Sequence, residues 1–289
     1  MSGKIKIFAD STCDLPSAWI EENDIGIVPL YVVFGEDSLR DGIDITPVEL
    51  YAKVEETGSL PKTAAPSPSD FIAAFSPSIE QGDDIVYISL SSELSSTYQN
   101  AIIAAEELPA GRVTVVDSRN LSCGIGLLVM KAVQAAKEGS SIKQIVDLLN
   151  SYTNQVECEF VIDTLDYLYK GGRCSGMQNL IGSLLKIRPV IKVVNGSMTP
   201  AYKVRGKKEK ALEQMLNNAL DKVKDMDNDL IIVVHTMAES EALFLQKALQ
   251  EKTGARQVGL ATAGCVISSH CGPHTVGLMY TKKPNSQTV

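Results

Sequence analysis

The sequence predicts an α/β fold with two domains. In the first half, short apolar runs alternate with stretches of helical spacing, which is typical of a mostly parallel sheet with helices on both faces. In the second half, Val190–Val194 and Ser197–Val204 flank Asn195-Gly196, which between β-rich runs is a strong signal for a type I′ hairpin turn. We therefore expect an α/β domain over residues 1–155 and a second one, with a mixed sheet and a hairpin, over residues 156–289.

Capping signals mark helix starts in the first half. Thr46-Pro47-Val48-Glu49 and Ser67-Pro68-Ser69-Asp70 each place a hydroxyl three residues before a carboxylate, with proline at the first helical position. Gly58 is the expected end of the earlier helix. Between the two helices, Lys62-Thr63-Ala64-Ala65-Pro66 is predicted to be a loop, in which the Thr63 hydroxyl has no capping role.

Residues 85–101 are the stretch around which the first half is organised. Ile85–Leu90 has the length and β-branched content of a buried strand, and a helix is predicted after the serine-rich turn that follows it. The first N–H groups of a helix lack intrahelical partners and favour negative charge, so this turn is a candidate anion site. Ser95 or Ser96 at the cap would add a hydroxyl donor. Judged by itself, the turn more simply indicates serines that only cap the helix.

Polar residues also follow the neighbouring predicted strands. Lys4–Ala9 runs into Asp10-Ser11-Thr12, and Gly111–Asp117 is followed by Ser118. Because ligands of parallel sheets bind outside the carboxyl ends of the strands, these residues and Ser91–Thr97 are expected to lie along one edge.

Composition narrows the class of protein. The chain has 289 residues and a net charge of −8, which argues against nucleic-acid binding because that binding depends on phosphate neutralisation. It has no apolar run of membrane-spanning length, and its start, MSGKIKIFADS, enters a strand without a signal peptide, so we expect a cytoplasmic protein. Six scattered cysteines lack metal-ligand spacing. We predict neither a metal nor a cofactor.

Known catalytic motifs are absent from the sequence, which contains no P-loop, GxGxxG, GxSxG or HExxH. The three histidines are His235, His270 and His274. A Ser/His hydrolase acting on a lipid or small ester remains the alternative function. Four aspartates are equally suitable as its third member: Asp10, Asp44, Asp117 and Asp163.

Residues 186–210 form a locally basic segment in an acidic protein. Only Glu209 opposes eight basic side chains: Lys186, Arg188, Lys192, Lys203, Arg205, Lys207, Lys208 and Lys210. Two interpretations are equally good. The segment is either a solvated hairpin face or a patch that contacts a phosphate group or an acidic partner.

A series of segments along nearly the whole chain carries a family resemblance. In the first half they are ADSTCDLP (9–16), DGIDITPVELY (41–51), KTAAPSPSDF (62–71), ISLSSELSSTYQNA (88–101) and VDSRNLSCGIG (116–126). In the second half they are LYKGGRCSG (168–176), LLKIRPVIKVVNG (184–196), KVRGKKEKAL (203–212) and SSHCGPHTVGL (268–278). In this order, the set resembles the DegV family of bacterial fatty-acid-binding proteins, the acyl-carrying components of fatty acid kinases.

The resemblance implies two α/β domains with one long-chain fatty acid buried in a slot between them. It implies that Thr63 and Ser95 hold the carboxylate at the start of the helix, with His270 close by. Ser96, as an alternative cap donor in the same turn, is a further candidate ligand. The chain would then be a carrier and not an enzyme. Its partners would be a fatty acid kinase subunit and an acyl-phosphate acyltransferase, with transient membrane contact.

A carrier that presents its carboxylate to a kinase needs a docking surface beside the mouth of the slot. Gly172-Arg173 and Lys203–Lys208 combine positive charge with turn or hairpin ends. Arg173 and Arg205 are therefore predicted to contact the partner or its phosphate.

The sequence departs from the usual DegV pattern at four places. Ser96 replaces a motif glycine, and Thr63-Ala64-Ala65-Pro66-Ser67 stands where the family usually reads TSQPS. His274 replaces the second glycine of a GPG motif and is expected either to crowd the site or to add a donor. Arg205-Gly206 replaces a common RT. These changes affect the shape of the pocket and leave the predicted carboxylate ligands in place.

Overall fold

The computed structural model describes residues 3–174 and 187–284 and has an α/β architecture. A parallel sheet occupies the first half of the chain. Its strands, in order across the sheet, are β2 (Gly26–Val28), β1 (Ile5–Asp10), β6 (Asp84–Ser89) and β7 (Val113–Asp117). Each neighbouring pair is parallel, so the prediction of a mostly parallel sheet in this half is confirmed.

The helices of the first half are α1 (Ser17–Glu22), α2 (Pro47–Thr57), α3 (Pro68–Glu80), α4 (Thr97–Glu107), α5 (Cys123–Lys137) and α6 (Ile142–Thr153). Of these, α2 and α3 begin where the capping signals predict. Thr46 and Ser67 each form a complete capping box, and Gly58 ends α2 with a left-handed backbone.

A small antiparallel sheet adjoins the parallel one. It consists of β4 (Asp37–Arg40), β3 (Tyr31–Phe34) and β5 (Lys62–Ala64). The predicted loop at residues 62–66 is therefore wrong for residues 62–64, which pair with Tyr31–Val33. Three residues of mixed character carry no strand signal of their own, so this strand exists because of its tertiary pairing.

The second half contains a mixed sheet, as predicted. Its strands, in order across the sheet, are β10 (Ser197–Arg205), β9 (Ile187–Val194), β8 (Val156–Val161), β13 (Val276–Lys282), β11 (Met226–His235) and β12 (Gln257–Thr262). The β11–β12 pair is parallel and the other pairs are antiparallel. Asn195 and Gly196 have φ values of 50° and 85°, which confirms the predicted hairpin turn.

In the described part of this half, the helices are α7 (Asp166–Gly171), α8 (Lys208–Leu220), α9 (Glu239–Thr253) and α10 (Cys265–Cys271). Helix α8 ends at Leu220. A separate 3-10 turn at Val223–Asp225 follows it and leads into β11.

The two sheets share a hydrophobic core. One buried cluster combines Ile7 and Ile88 of the parallel sheet with Ile232 and Met279 of the mixed sheet. Helix α5 contacts both β1 and β13 and so packs between the sheets. Residue 155 lies in the turn between α6 and β8. The division into domains 1–155 and 156–289 stays a prediction.

The basic segment at residues 186–210 is not a continuous solvent-exposed stripe. Arg188 pairs with Asp163, Lys192 with Glu157, and Lys208 with Glu241. The exposed members are Lys203, Arg205, Lys207 and Lys210, while Lys186 lies outside the described residues. The solvated basic surface is therefore smaller than the sequence suggests, because acidic residues distant in sequence neutralise part of it.

Glu157 on β8 is the centre of one of these ionic clusters. Its carboxylate lies 2.5 Å from Lys192 Nζ, 2.8 Å from Lys282 Nζ and 3.3 Å from Lys222 Nζ. Burial by itself would raise the pKa of Glu157, but hydrogen bonds and charges from the lysines lower that pKa to about 2.

We expect Glu157→Gln to destabilise the protein by about 3 kcal/mol at pH 7, because it removes a buried carboxylate and leaves lysines without their partner. A carboxylate with a depressed pKa contributes stability above its ordinary value near 4.5, and this contribution is lost as the pH falls towards 2. Urea unfolding between pH 7 and pH 3 should therefore show a stability difference between wild type and variant that shrinks on acidification. Asp147→Asn, in the exposed Lys143–Asp147 pair, is the control and should change little. A constant difference at all pH values would contradict this role.

Candidate functional site

A mainly apolar cavity of about 290 Å³ lies between the two sheets. This volume is close to the lower end of the range for small-molecule sites. Its apolar walls come from both halves of the chain and include Leu30, Leu90, Leu94, Leu121, Phe160 and Met279. Its polar lining includes Thr63, Ser95, Ser96, Arg173 and His270. The predicted carboxylate ligands therefore all line one cavity.

The turn after β6 is held by buried and surface carboxylates at the carboxyl edge of the sheet. Asp10 accepts hydrogen bonds from Leu90 N at 2.8 Å and from the Tyr87 hydroxyl at 3.0 Å. Burial raises the pKa of Asp10, while these hydrogen bonds oppose the increase. Ser92 donates to Asp117 at 2.6 Å. The expected gathering of polar residues along this edge is confirmed, and it fixes the backbone that leads to Ser95.

Ser95 has a hydroxyl group that serves both the helix and the cavity. Its Oγ accepts from Thr97 N at 3.3 Å and lies 2.8 Å from Thr97 Oγ1. The capping interpretation therefore holds in part for Ser95. When Thr97 Oγ1 is the donor, the Ser95 O–H remains available to a ligand. Ser96 occupies the N-cap position, but its side chain makes no capping hydrogen bond within the described structure.

Thr63 and His270 come from distant parts of the chain and meet in the cavity wall. Thr63 Oγ1 lies 2.9 Å from His270 Nε2. Strand β5 carries the threonine and helix α10 carries the histidine. Asn100 Nδ2 of α4 donates to Pro66 O at 2.7 Å, which holds the Ser95 turn against the segment that follows β5. Three separate elements thus bring hydroxyl and imidazole groups to the wall of one cavity.

His270 is a neutral imidazole at physiological pH. Burial, and secondarily the positive charge of Arg173, lowers the pKa of His270 to about 4. Its Nδ1 is buried and has no hydrogen-bond partner among the described residues. A Cβ at Gly171 would lie 2.5 Å from that nitrogen, so the glycine allows the ring to pack there. With Nε2 protonated, His270 donates to Thr63 and leaves the threonine hydroxyl free to donate to a ligand.

Two buried carboxylates of the first half hold the start of α10. Asp14 accepts from Gly264 N at 2.8 Å, and Asp41 accepts from Cys265 N at 2.7 Å. Burial raises the pKa of both aspartates. Because backbone donors at a helix start otherwise lack partners, these contacts fix the helix that carries His270.

The tip of the β9–β10 hairpin closes over the serine-rich turn. Ser91 Oγ donates to Gly196 O at 2.8 Å, and Arg119 Nη2 donates to Asn195 O. A Cβ at Gly196 would lie 2.6 Å from Ser91 Oγ, so glycine is required by this contact as well as by the turn. Met198, two residues along β10, lines the cavity.

The two arginines predicted to contact a partner occupy different places. Arg173 is exposed and lines the cavity near His270. Arg205 is exposed at the end of β10 and is not among the described lining residues. His274 neither crowds the cavity nor adds a donor to it, because it is exposed and its Nδ1 contacts Met237 O at 2.8 Å. The structure therefore places one of the two arginines at the site.

Histidine contacts give the hydrolase alternative no support. In the described part of the chain, His270 Nε2 contacts a threonine, His235 Nδ1 accepts from Ala238 N, and His274 contacts a carbonyl. A serine–histidine pair is not formed there. Within the same residues, no group of histidine, cysteine, aspartate and glutamate is arranged to hold a metal ion. None of the described helices has the length and apolar character needed to cross a bilayer.

Sequence reasoning missed most of the apolar lining. Phe160, Val234 and Met279 line the cavity from the mixed sheet, and each has the sequence character of an ordinary core residue. Period-two burial predicts which face of a strand is apolar, but it does not distinguish a face packed on protein from one facing a cavity.

Comparison with known proteins finds similarity along nearly the whole chain. A family model for uncharacterised proteins of the DegV family matches residues 4–283. A fatty acid-binding protein of Thermotoga maritima is 35% identical over 280 residues, covering 95% of this chain and 96% of that protein. Among solved structures, a DegV family protein from Thermus thermophilus described by its fatty acid binding has a TM-score of 0.91 and 32% identity, covering 97% of this chain and 100% of that one. A stearic acid-binding protein from Eubacterium ventriosum has a TM-score of 0.87 and 28% identity, covering 96% of this chain and 98% of that one.

These matches extend over almost the whole described structure and include both sheets. The predicted α/β class agrees with the solved relatives, and the sequence segments that suggested the family lie within the matched range. The chain belongs to the DegV family.

Proposed function

We propose that this protein binds one long-chain fatty acid in its cavity and presents the carboxylate to a separate kinase subunit. The observation that carries the proposal is the position of Thr63 and Ser95 in the wall of an otherwise mainly apolar cavity. A fatty acid has the same division, with one polar end and a long apolar tail. The names of the Thermus and Eubacterium relatives support this ligand class.

The carboxylate is bound by neutral groups. Thr63 and Ser95 donate hydroxyl hydrogens to its oxygens, and Ser96 and the start of α4 face the same negative charge. Hydrogen bonds to a charged group contribute about 1.5 to 3 kcal/mol each. His270 supports Thr63 through their 2.9 Å contact, and as a neutral group it does not neutralise the ligand. The carboxylate therefore keeps its charge while bound.

The tail supplies most of the affinity. Each buried methylene contributes about 0.8 kcal/mol, so a long chain binds tightly without further polar contacts. The apolar lining from Leu90, Leu121 and Phe160 excludes water from this part of the ligand.

The ionised carboxylate is itself the nucleophile in acyl-phosphate formation, so the carrier needs no general base. A carboxylate oxygen attacks the terminal phosphorus of ATP held by the kinase subunit. The new acyl O–P bond forms as the bond from that phosphorus to the bridging oxygen breaks, and ADP leaves. Arg173 is exposed, lines the cavity and acts electrostatically on His270, so it is the positive group that this chain offers to the transferred phosphate.

The product suggests further partners. An acyl phosphate is an activated acyl donor, so an acyl-phosphate acyltransferase is the enzyme class that would consume it. Exchange of a water-insoluble ligand also implies transient contact with a membrane surface. We place the protein in the cytoplasm, where buried thiols such as Cys13 and Cys123 stay reduced.

Protein expressed in bacteria should contain about one fatty acid per chain, since burial of a long tail makes release slow. Denaturation followed by mass spectrometry measures this content. A delipidated sample that takes up no labelled fatty acid, although folded by circular dichroism, would show that the ligand class is wrong. Turnover of simple esters that disappears in Ser95→Ala would instead favour the hydrolase.

Thr63→Val and Ser95→Ala should each weaken fatty acid binding by roughly ten- to hundredfold, because each removes one donor to a charged oxygen. Titration of delipidated protein with a fluorescent fatty acid gives the dissociation constants. Ser151→Ala is the control, because this exposed serine donates to Leu148 O on α6 and does not line the cavity. Unchanged affinity in both hydroxyl variants would mean that the carboxylate lies elsewhere.

Arg173→Ala should retain bound lipid but slow its phosphorylation by the kinase subunit, most strongly at low salt, because exposed charges mainly affect encounter and orientation. Arg205→Ala tests whether the docking surface extends to the end of β10. Lys143→Ala, at an exposed position on α6, controls for the loss of one positive charge. Loss of lipid from folded Arg173→Ala would make the arginine a ligand of the fatty acid, and normal phosphorylation in both arginine variants would refute this docking surface.

A further inference from the structure

Three neighbouring strands form an apolar floor in the cavity. Phe160 of β8, Gly277 of β13 and Val234 of β11 are direct neighbours in the register of the mixed sheet. All three line the cavity, and so does Met279, two residues along the same face of β13. The tail of a fatty acid is the part of the ligand that suits this surface.

Gly277 has a backbone conformation that does not require glycine. It is not among the residues with positive φ, and it lies inside a paired strand. Glycine in a strand interior weakens the strand and often marks a place where another group must approach closely. The reason for a glycine at position 277 is therefore sought in the atoms that pack against its backbone.

Side chains from three neighbouring positions pack closely against Gly277. A Cβ at this position would lie 3.0 Å from Val234 Cγ1, 3.1 Å from Met279 Cε and 3.4 Å from Phe160 Cβ. The methyl end of Met279 thus packs onto the bare backbone of Gly277. Met279 is the most flexible of the three neighbours, so a side chain at 277 would displace its thioether. Because Met279 lines the cavity, we expect this displacement to reduce the space for a ligand.

We propose that Gly277, by seating Met279 against the floor, sets the longest acyl chain that the cavity accepts. The inference rests on the proposed function and specifies the tail end of the same ligand. When the methyl group of Met279 packs against Gly277, the cavity has space for the last methylenes of a long acyl chain. When the Met279 methyl group is displaced from Gly277, it occupies the space that these methylenes need. Long chains then bind less well, while short chains are unaffected.

The test compares dissociation constants for saturated fatty acids from lauric to stearic acid in wild type and Gly277→Ala. One methylene in a fitted apolar pocket changes affinity by about tenfold or more, so the ratio of stearate to laurate affinity should fall by at least about tenfold. Laurate binding serves as the internal measure of folding. Leu260→Ala, in the same sheet but outside the described lining, should leave the ratio unchanged.

Two further variants keep the proposal testable if Gly277→Ala does not fold. Met279→Ala should raise the relative affinity for acids longer than stearic acid, and adding it to Gly277→Ala should restore the wild-type ratio. An unchanged ratio in folded Gly277→Ala, or an unchanged length preference in Met279→Ala, would overturn the length limit. Failure of wild type to bind any of the acids would instead refute the proposed function.

Discussion

The site depends on one constraint: the first backbone donors of α10 are bound by carboxylates from the other half of the chain. Asp14 and Asp41 are buried, and each accepts a hydrogen bond from the start of the helix. Because these groups are buried, water does not replace the hydrogen bonds, and breaking them would leave buried polar groups without partners. The position of the helix is therefore fixed relative to the two aspartates. His270 then has a fixed position from which to meet Thr63.

Local signals in the sequence predicted the elements whose cause is local. The capping boxes at Thr46 and Ser67 and the turn at Asn195-Gly196 depend on residues a few positions apart, and the structure contains them. Strand β5 was not predictable in this way, because Lys62–Ala64 is extended through pairing with a strand some thirty residues earlier. For the same reason, the sequence did not show that part of the basic segment is neutralised, because Lys192 contacts Glu157 only in the folded chain.

In the candidate site, too, some features could be predicted from sequence motifs and others depend on the folded chain. Thr63, Ser95 and His270 are recognisable from family motifs, and all of them line the cavity. Their interaction is a property of the fold, since the low pKa of His270 arises from burial and from Arg173. The apolar lining had no sequence signal at all, because Phe160 or Met279 in a strand has the same pattern whether it packs on protein or faces a ligand.

The combination of Thr63 from β5, Ser95 from the turn before α4 and His270 from α10 has a consequence for biosynthesis. A chain leaving the ribosome exposes its first sheet long before residue 270 has been made. Neither the anchored α10 nor the floor formed by β8, β11 and β13 exists at that stage. Partly synthesised chains therefore lack a complete cavity, and the ability to take up a ligand arises only after α10 and β13 have been made.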